Sequence, residues 1–406
     1  MRGRNPIEDL AHLRHEFGEH GGVNMSIETS STFTVIDPET MPDLFQGRAG
    51  PDRGCYLYGR HFNPTVYNLG RQMAALEGTQ AAYCTASGMA AISGVIMCLC
   101  NAGDEVVASS AIYGGSYALL HDFLPAKSGI TTHFVDISDV DAVANAITDK
   151  TRLIFTESIS NPTLRLANIP RLSALAKESG IPLVVDNTFS PLILSPAVLG
   201  ADIVVHSITK YISGASDVIA GAICGSETFI GALMDLHMGP LMLLGPTMDP
   251  NVAAGISLRI PHLPLRMNAH SQRALAITAR LDELGLKVTY PGLPHHPDHA
   301  LFEELHCDEY GYGGVFTLDV GDEETANALM SCLQNEQRFG YLAVSLGYFD
   351  TLMSCSGSST SSEMSDEDKD SAGISPGLLR ISIGYTGTLE QRWSQLQAAL
   401  RHTGLI

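Results

Sequence analysis

Between residues 80 and 225 the chain alternates short, unbroken apolar runs with amphipathic stretches. The runs are "AAYCTAS" (81–87), "DEVVAS" (104–109), "THFVDI" (132–137), "RLIFTES" (152–158), "PLVVDN" (182–187), "DIVVHS" (202–207) and "GAICG" (221–225). Valine and isoleucine in continuous runs, without polar alternation, mark strands covered on both faces, as in a parallel sheet. Between them, "DVDAVANAIT" (139–148) and "IPRLSALAKESG" (169–180) carry helical spacing, and Gly180 is a natural helix stop. This alternation predicts an α/β architecture, with a large, mostly parallel seven-stranded sheet domain over residues 61–255.

The pattern changes from residue 256 onward. "LPLRMNAHSQRALAITARLDELG" (263–285) and "EETANALMSCL" (323–333) read as helices, while "GGVFTLDV" (313–320) and "LLRISIGY" (378–385) read as strands. They predict a smaller C-terminal α+β domain over 256–406. Residues 1–60 lack strong periodicity and are expected to form an arm. The stretch "SCSGSSTSSEMSDEDKDSAG" (354–373) is serine-rich and then acidic, the composition of a solvated loop. Long loops inside compact domains are often functional.

Composition removes several classes of function. Apolar residues at 45% and charged residues at 17% are those of a globular chain. A formal charge of −20 opposes nucleic-acid binding. No apolar run reaches the roughly 18 residues that span a bilayer. The charged start has no apolar core of a secretory signal, so a cytoplasmic location is expected. The eight cysteines include no C-x-x-C pair and are expected to be reduced, many of them buried. His295, His296, His299 and His306 lie close enough in sequence to be weighed as metal ligands, but the surrounding prolines favour a surface loop and no metal is expected.

Chemistry concentrates around "HSITKYISG" (206–214), where Lys210 stands alone among apolar, hydroxyl and glycine residues. Its neighbours suit a pyridoxal phosphate (PLP) site. A lysine there forms a Schiff base with the cofactor aldehyde, and Ser207 and Thr209 offer hydroxyls to the phosphate. Ser87-Gly88-Met89 opens an apolar helix straight after a strand, where free N–H groups and the helix dipole suit an anion. Asp186 ends the apolar run "IPLVVD", at the carboxyl end of a strand where α/β sheets bind ligands. A carboxylate there keeps the cofactor's ring nitrogen protonated. Lys210 and Asp186 together, at the ends of neighbouring strands, say more than either alone. Arg380, inside the apolar strand "LLRISIG", is costly to bury unless it grips a carboxylate.

The chain resembles the Cys/Met-metabolism family of PLP enzymes. The resemblance rests on "YGRHFNPT" (58–65), "SGMAAI" (87–92), "YGGSY" (113–117), "ESISNPTLR" (157–165), "VVDNTF" (184–189), "HSITKYISG" (206–214) and "LLRISIG" (378–384). It implies the PLP-dependent fold type I, the aspartate-aminotransferase architecture, with pyridoxal 5'-phosphate as cofactor. It further implies that Lys210 holds the cofactor and then moves protons, with Asp186 at the ring nitrogen. Ser207, Thr209, Gly88 and Met89 hold the phosphate in this reading, Tyr113 stacks on the ring and acts in catalysis, and Asn161 bonds the ring hydroxyl. Tyr58 and Arg60 reach the phosphate of a neighbouring subunit, which implies a dimer that completes its own sites, and a tetramer of such dimers. Arg380 and Ser345, with Tyr113, are the implied substrate-binding residues.

Several positions depart from the family pattern and bear on the substrate. Ala215 stands where histidine is usual, Tyr385-Thr386 replace an acidic pair, and the loop after "SLG" is recast. Gly115 stands where methionine γ-lyases usually carry cysteine. Three readings follow. The first is a carbon–sulphur lyase of the methionine γ-lyase type, which releases a thiol, ammonia and 2-oxobutanoate. The second is a γ-replacement transferase, either a cystathionine γ-synthase or an O-acylhomoserine sulfhydrylase. The third is a non-catalytic PLP-binding protein, which the retained Lys210, Asp186, Tyr113 and Arg380 oppose. The recast loop favours the lyase, and Gly115 points away from methionine.

Overall fold

A computed structural model describes residues 5–13, 17–35, 37–356, 369 and 373–406. Seven strands form the larger sheet: β1 (Ala81–Thr85), β2 (Glu105–Ser109), β3 (Thr131–Val135), β4 (Thr151–Glu157), β5 (Leu183–Asp186), β6 (Ile203–His206) and β7 (Gly221–Gly225). Their order is β1-β7-β6-β5-β4-β2-β3. Strand β7 runs antiparallel to both neighbours, and all other pairings are parallel. Alternate residues of the apolar runs face opposite sides. Leu153, Phe155, Val184 and Val205 join one core, while Ile154, Leu183, Val185 and Val204 join the other. Helices cover both faces, which is why these strands carry no polar alternation. Each fully buried Val, Leu, Ile or Phe side chain contributes about 1.5–3 kcal/mol.

The smaller sheet contains β8 (Val288–Thr289), β9 (Val315–Asp319), β10 (Tyr341–Leu342), β11 (Leu352–Cys355) and β12 (Leu378–Ser382), in the order β10-β11-β12-β9-β8. Helix Leu263–Glu283 ties the two sheets together. Its first half, through Leu263 and Met267, packs into a core of the larger sheet; Ala274, Ile277 and Leu281 then belong to the core of the smaller one. The protein is an α/β chain of PLP fold type I with a second, smaller sheet domain.

Two sequence readings need adjusting. Ser354 and Cys355 belong to β11, paired with Arg380 and Leu379, so the polar stretch starts later than residue 354. A strand position opposite a buried partner outweighs serine's loop preference. Residues 357–368 and 370–372 of that stretch lie outside the described residues. Lys210 does not end its strand: β6 stops at His206 and the lysine follows in a turn. Among the described residues, no helix is long and apolar enough to cross a membrane.

Candidate active site

The parallel sheet delivers three strand ends side by side. Glu157 pairs in register with Asp186, and Asp186 with Val205, so two carboxylates stand at the carboxyl ends of β4 and β5. Ser207 follows β6 directly. These ends open into a cavity of about 360 Å³, whose lining includes Gly88, Met89, Tyr113, Asn161, Ser345 and Arg380 as well as Lys210 and Thr209. The smaller sheet supplies Arg380 from β12, and the residues just after β10 supply Ser345.

The Lys210 Nζ donates to Ser345 Oγ at 3.1 Å. Burial, and then the nearby positive charge of Arg380, lower its pKa to about 8. An amine with that value exchanges its proton near neutral pH. Arg380 is 3% exposed and donates from Nη1 to Asn161 Oδ1 and from Nη2 to the Ser345 carbonyl, both at 3.1 Å. Its Nε is buried without a hydrogen-bond partner among the described residues. Burial lowers the Arg380 pKa to about 10, so the chain holds a desolvated cation whose bonding is incomplete.

Asp186 Oδ1 accepts from the Thr188 N–H at 2.9 Å, and Thr188 Oγ1 in turn accepts from the Ser207 N–H at 2.8 Å. Burial raises the Asp186 pKa, opposed by the Thr188 hydrogen bonds and by His206. Thr209 Oγ1 accepts from the Ala220 N–H at 2.9 Å and donates to the Ala220 carbonyl at 3.2 Å. Helix Gly88–Leu99 starts at the cavity, capped by Ser87, whose Oγ accepts from the Ala90 N–H. First-turn N–H groups have no helix carbonyl to bond, and Gly88 and Met89 of this first turn line the cavity. A Cβ on Gly88 would sit 2.8 Å from Ser207 Cβ. Only glycine lets the helix start come this close to the end of β6.

The sequence profile described as "Cys/Met metabolism PLP-dependent enzyme" matches residues 10–400. The chain belongs to this family. A methionine gamma-lyase of Arabidopsis thaliana is 60% identical over 396 residues, covering 97% of this chain and 90% of the relative. A solved chain from Campylobacter jejuni carries N'-pyridoxyl-lysine-5'-monophosphate; it superposes with a TM-score of 0.90 at 27% identity, covering 98% of this chain and 100% of its own. A cystathionine gamma synthase from Xanthomonas oryzae pv. oryzae, solved in complex with aminoacrylate and cysteine, gives a TM-score of 0.88 at 31% identity, with 99% of each chain covered.

The Cys/Met-metabolism enzymes use pyridoxal phosphate, and the residues here fit that group. The lysine is largely desolvated, an acid stands at the neighbouring strand end, and the Gly88 side of the cavity has no room for a side chain. Tyr58 and Arg60 are not brought together with these groups. The Arg60 guanidinium lies over the Tyr58 ring at 5.7 Å and donates to the Met242 carbonyl, while Tyr58 is 46% exposed; neither lines the cavity of its own chain. Three of the four weighed histidines use their Nδ1 atoms locally, His299 on the Pro291 carbonyl, His306 on the Phe302 carbonyl and His296 as acceptor from the Asp298 N–H, while His295 Nε2 lies 3.7 Å from Asp282 Oδ1.

Sequence reasoning missed Glu157. Its Oε1 accepts from the Tyr113 N–H and its Oε2 from the Asn161 N–H, both at 2.9 Å, which fixes two cavity residues at once. Burial, followed by repulsion from Asp186, raises its pKa to about 8. Like Asp186, Glu157 is an acid that ends an apolar run, "RLIFTE". An added Cβ on Gly115 would meet the Tyr113 ring at 2.6 Å, so a side chain there requires this partly exposed ring to shift.

Proposed function

We propose that this enzyme is a carbon–sulphur lyase that converts methionine and water into methanethiol, ammonia and 2-oxobutanoate. The observation that carries the reading is the 60% identity, over nearly the whole chain, with a plant methionine gamma-lyase; the cystathionine gamma synthase match stands at 31%. When bound, pyridoxal phosphate supplies an electron-withdrawing ring that stores the charge left on the substrate's α-carbon. Ser207, Thr209 and the N–H groups of Gly88 and Met89 would hold its phosphate. Asp186 would pair with the ring nitrogen, Asn161 would bond the ring hydroxyl, and Tyr113 would stack on the ring.

The substrate's α-carboxylate docks on Arg380 and Ser345, giving the buried guanidinium the charged acceptor it lacks. Lys210 then takes the proton from Cα, gives it up again and, neutral once more, takes one from Cβ, a task suited to an amine whose pKa is lowered to about 8. The Tyr113 phenol, in the same cavity, can hand a proton to the departing sulphur.

The same reading makes the molecule a dimer of mutually completed sites, paired into a tetramer and acting in the cytoplasm. Tyr58 and Arg60 lie apart from their own chain's cavity, which supports their serving a partner subunit. Residues 1–60 are then the arm that reaches the partner's site, 61–255 the cofactor domain and 256–406 the small C-terminal domain. Incubating the purified enzyme with methionine, and separately with O-succinyl- or O-acetylhomoserine plus cysteine, tests the chemistry. Release of 2-oxobutanoate and a thiol from methionine is expected; thioether formation without 2-oxobutanoate assigns the chain to γ-replacement instead.

A further inference from the structure

Behind the strand ends that form the cavity lies a buried polar cluster the chemistry above does not use. Side chains alternate across a sheet, so the residue next to each cavity residue faces the opposite side. Ser158 follows Glu157, Asn187 follows Asp186, and His206 precedes Ser207. On that far side the three meet. His206 Nε2 and Asn187 Nδ2 converge on Oε1 of Glu77, at 2.7 and 2.9 Å. The Asn187 Oδ1 accepts from Ser158 Oγ at 2.9 Å and from Ser190 Oγ at 2.7 Å, and Asn187 Nδ2 also reaches the Leu194 carbonyl at 3.0 Å. All five side chains are buried. Glu77 is the last residue of helix Pro64–Glu77, so one carboxylate links a helix end to β5 and β6, and through Asn187 to β4.

We propose that Glu77 is a positioning residue for the reaction: it holds the carboxyl ends of β4, β5 and β6 in fixed register, and with them Glu157, Asp186 and Ser207. The proposal rests on the cavity being the PLP site. Burying an acid, an imidazole and an amide here is expensive, and the hydrogen bonding is incomplete. Glu77 Oε2 and His206 Nδ1 are buried without a hydrogen-bond partner among the described residues. Well-packed apolar residues commonly match or exceed the stability of such a cluster. What apolar packing cannot supply is direction. The bonds from Glu77 fix which way Asn187 and His206 point, and their covalent neighbours inherit that orientation on the cavity side. The backbone ladder carries the same restraint, with Ser158 N–H bonded to the Asp186 carbonyl and Asn187 N–H to the Val205 carbonyl, both at 2.9 Å. His206 also lies near enough to act on the Asp186 carboxyl, lowering a pKa that burial raises.

The test compares wild type with Glu77→Ala, Glu77→Gln and Asn187→Ser as PLP-loaded enzymes. Visible circular dichroism reports how the bound cofactor is held, and kcat and KM for methionine are measured separately. Glu77→Ala is expected to weaken the visible dichroism and to lower kcat about tenfold to a hundredfold, the scale of small misplacements of reacting groups, with less change in KM. Glu77→Gln keeps an acceptor oxygen for both partners and recovers most of the loss. If Glu77→Ala does not fold, Asn187→Ser removes the same link from the β5 side and carries the same expectation. A fall in melting temperature alone, with wild-type dichroism and kcat per loaded site, reduces the cluster to a structural role and overturns the proposal. A wild type without a visible cofactor band overturns the site reading and this proposal with it. A normal wild-type band with unaffected variants overturns this proposal alone.

Discussion

Replacing Gly88 by alanine tests the phosphate seat with a perturbation whose size the structure supplies. The new Cβ would lie 2.8 Å from Ser207 Cβ, 3.0 Å from its Cα and 3.1 Å from its Oγ. Carbon atoms prefer about 3.5–4.0 Å, so the nearest contact is roughly 0.7 Å too short. Ser207 cannot swing away, because the clash involves its Cα and its N–H is bonded to Thr188 Oγ1 at 2.8 Å. The helix start or the end of β6 must move. Overpacking of this kind costs about 1–3 kcal/mol. The movement draws the Ser207 hydroxyl away from the N–H groups of Gly88 and Met89, the donors proposed for one phosphate. A tenfold to hundredfold weaker Kd for pyridoxal phosphate is expected, equivalent to about 1.4–2.8 kcal/mol. Spectroscopic titration of apoenzyme with PLP measures it, and thermal denaturation reads the stability cost separately. Gly255 and Gly231 provide controls, since a Cβ at either meets nothing within 4 Å. Alanine there is expected to leave Kd unchanged and to stabilise its helix by about 0.5–1 kcal/mol. Wild-type PLP affinity in Gly88→Ala would refute the reasoning, because the closest approach in the cavity would then have nothing to do with the phosphate.

Two further outcomes follow from the same geometry. Arg380→Lys keeps the charge but loses the planar fork, so KM for methionine is expected to rise strongly and kcat/KM to fall about a hundredfold, with kcat less affected; steady-state kinetics with an unchanged KM would remove Arg380 from carboxylate binding. Burial and Arg380 disfavour the charged form of Lys210, so its neutral amine dominates above about pH 8 and is lost as pH falls below that. Stopped-flow capture of PLP by the apoenzyme should therefore quicken with a midpoint near pH 8, and a rate still climbing toward the ordinary lysine value of 10.5 would contradict the lowered pKa.

Much of this protein was legible without coordinates. Unbroken Val/Ile runs can be stable only where both faces are covered, so they announced the central sheet and, through its parallel direction, the strand ends where Asp186 and Lys210 were sought. Short-range patterns also marked the helix start at Gly88 and the cost of burying Arg380. Long-range partnership was not legible. Glu157 became a site residue only when β4 paired in register with β5. Glu77 lies 110 residues from Asn187 and 129 from His206 in sequence, and nothing local to "ALEG" says that it meets them. Gly115 read in sequence as a departure from the methionine γ-lyases, and only the structure shows that it packs against the Tyr113 ring. Periodicity reports which face of an element is buried. Which distant polar groups satisfy one another inside, and how close two backbones come, depends on how the elements are stacked, and that only the tertiary structure decided.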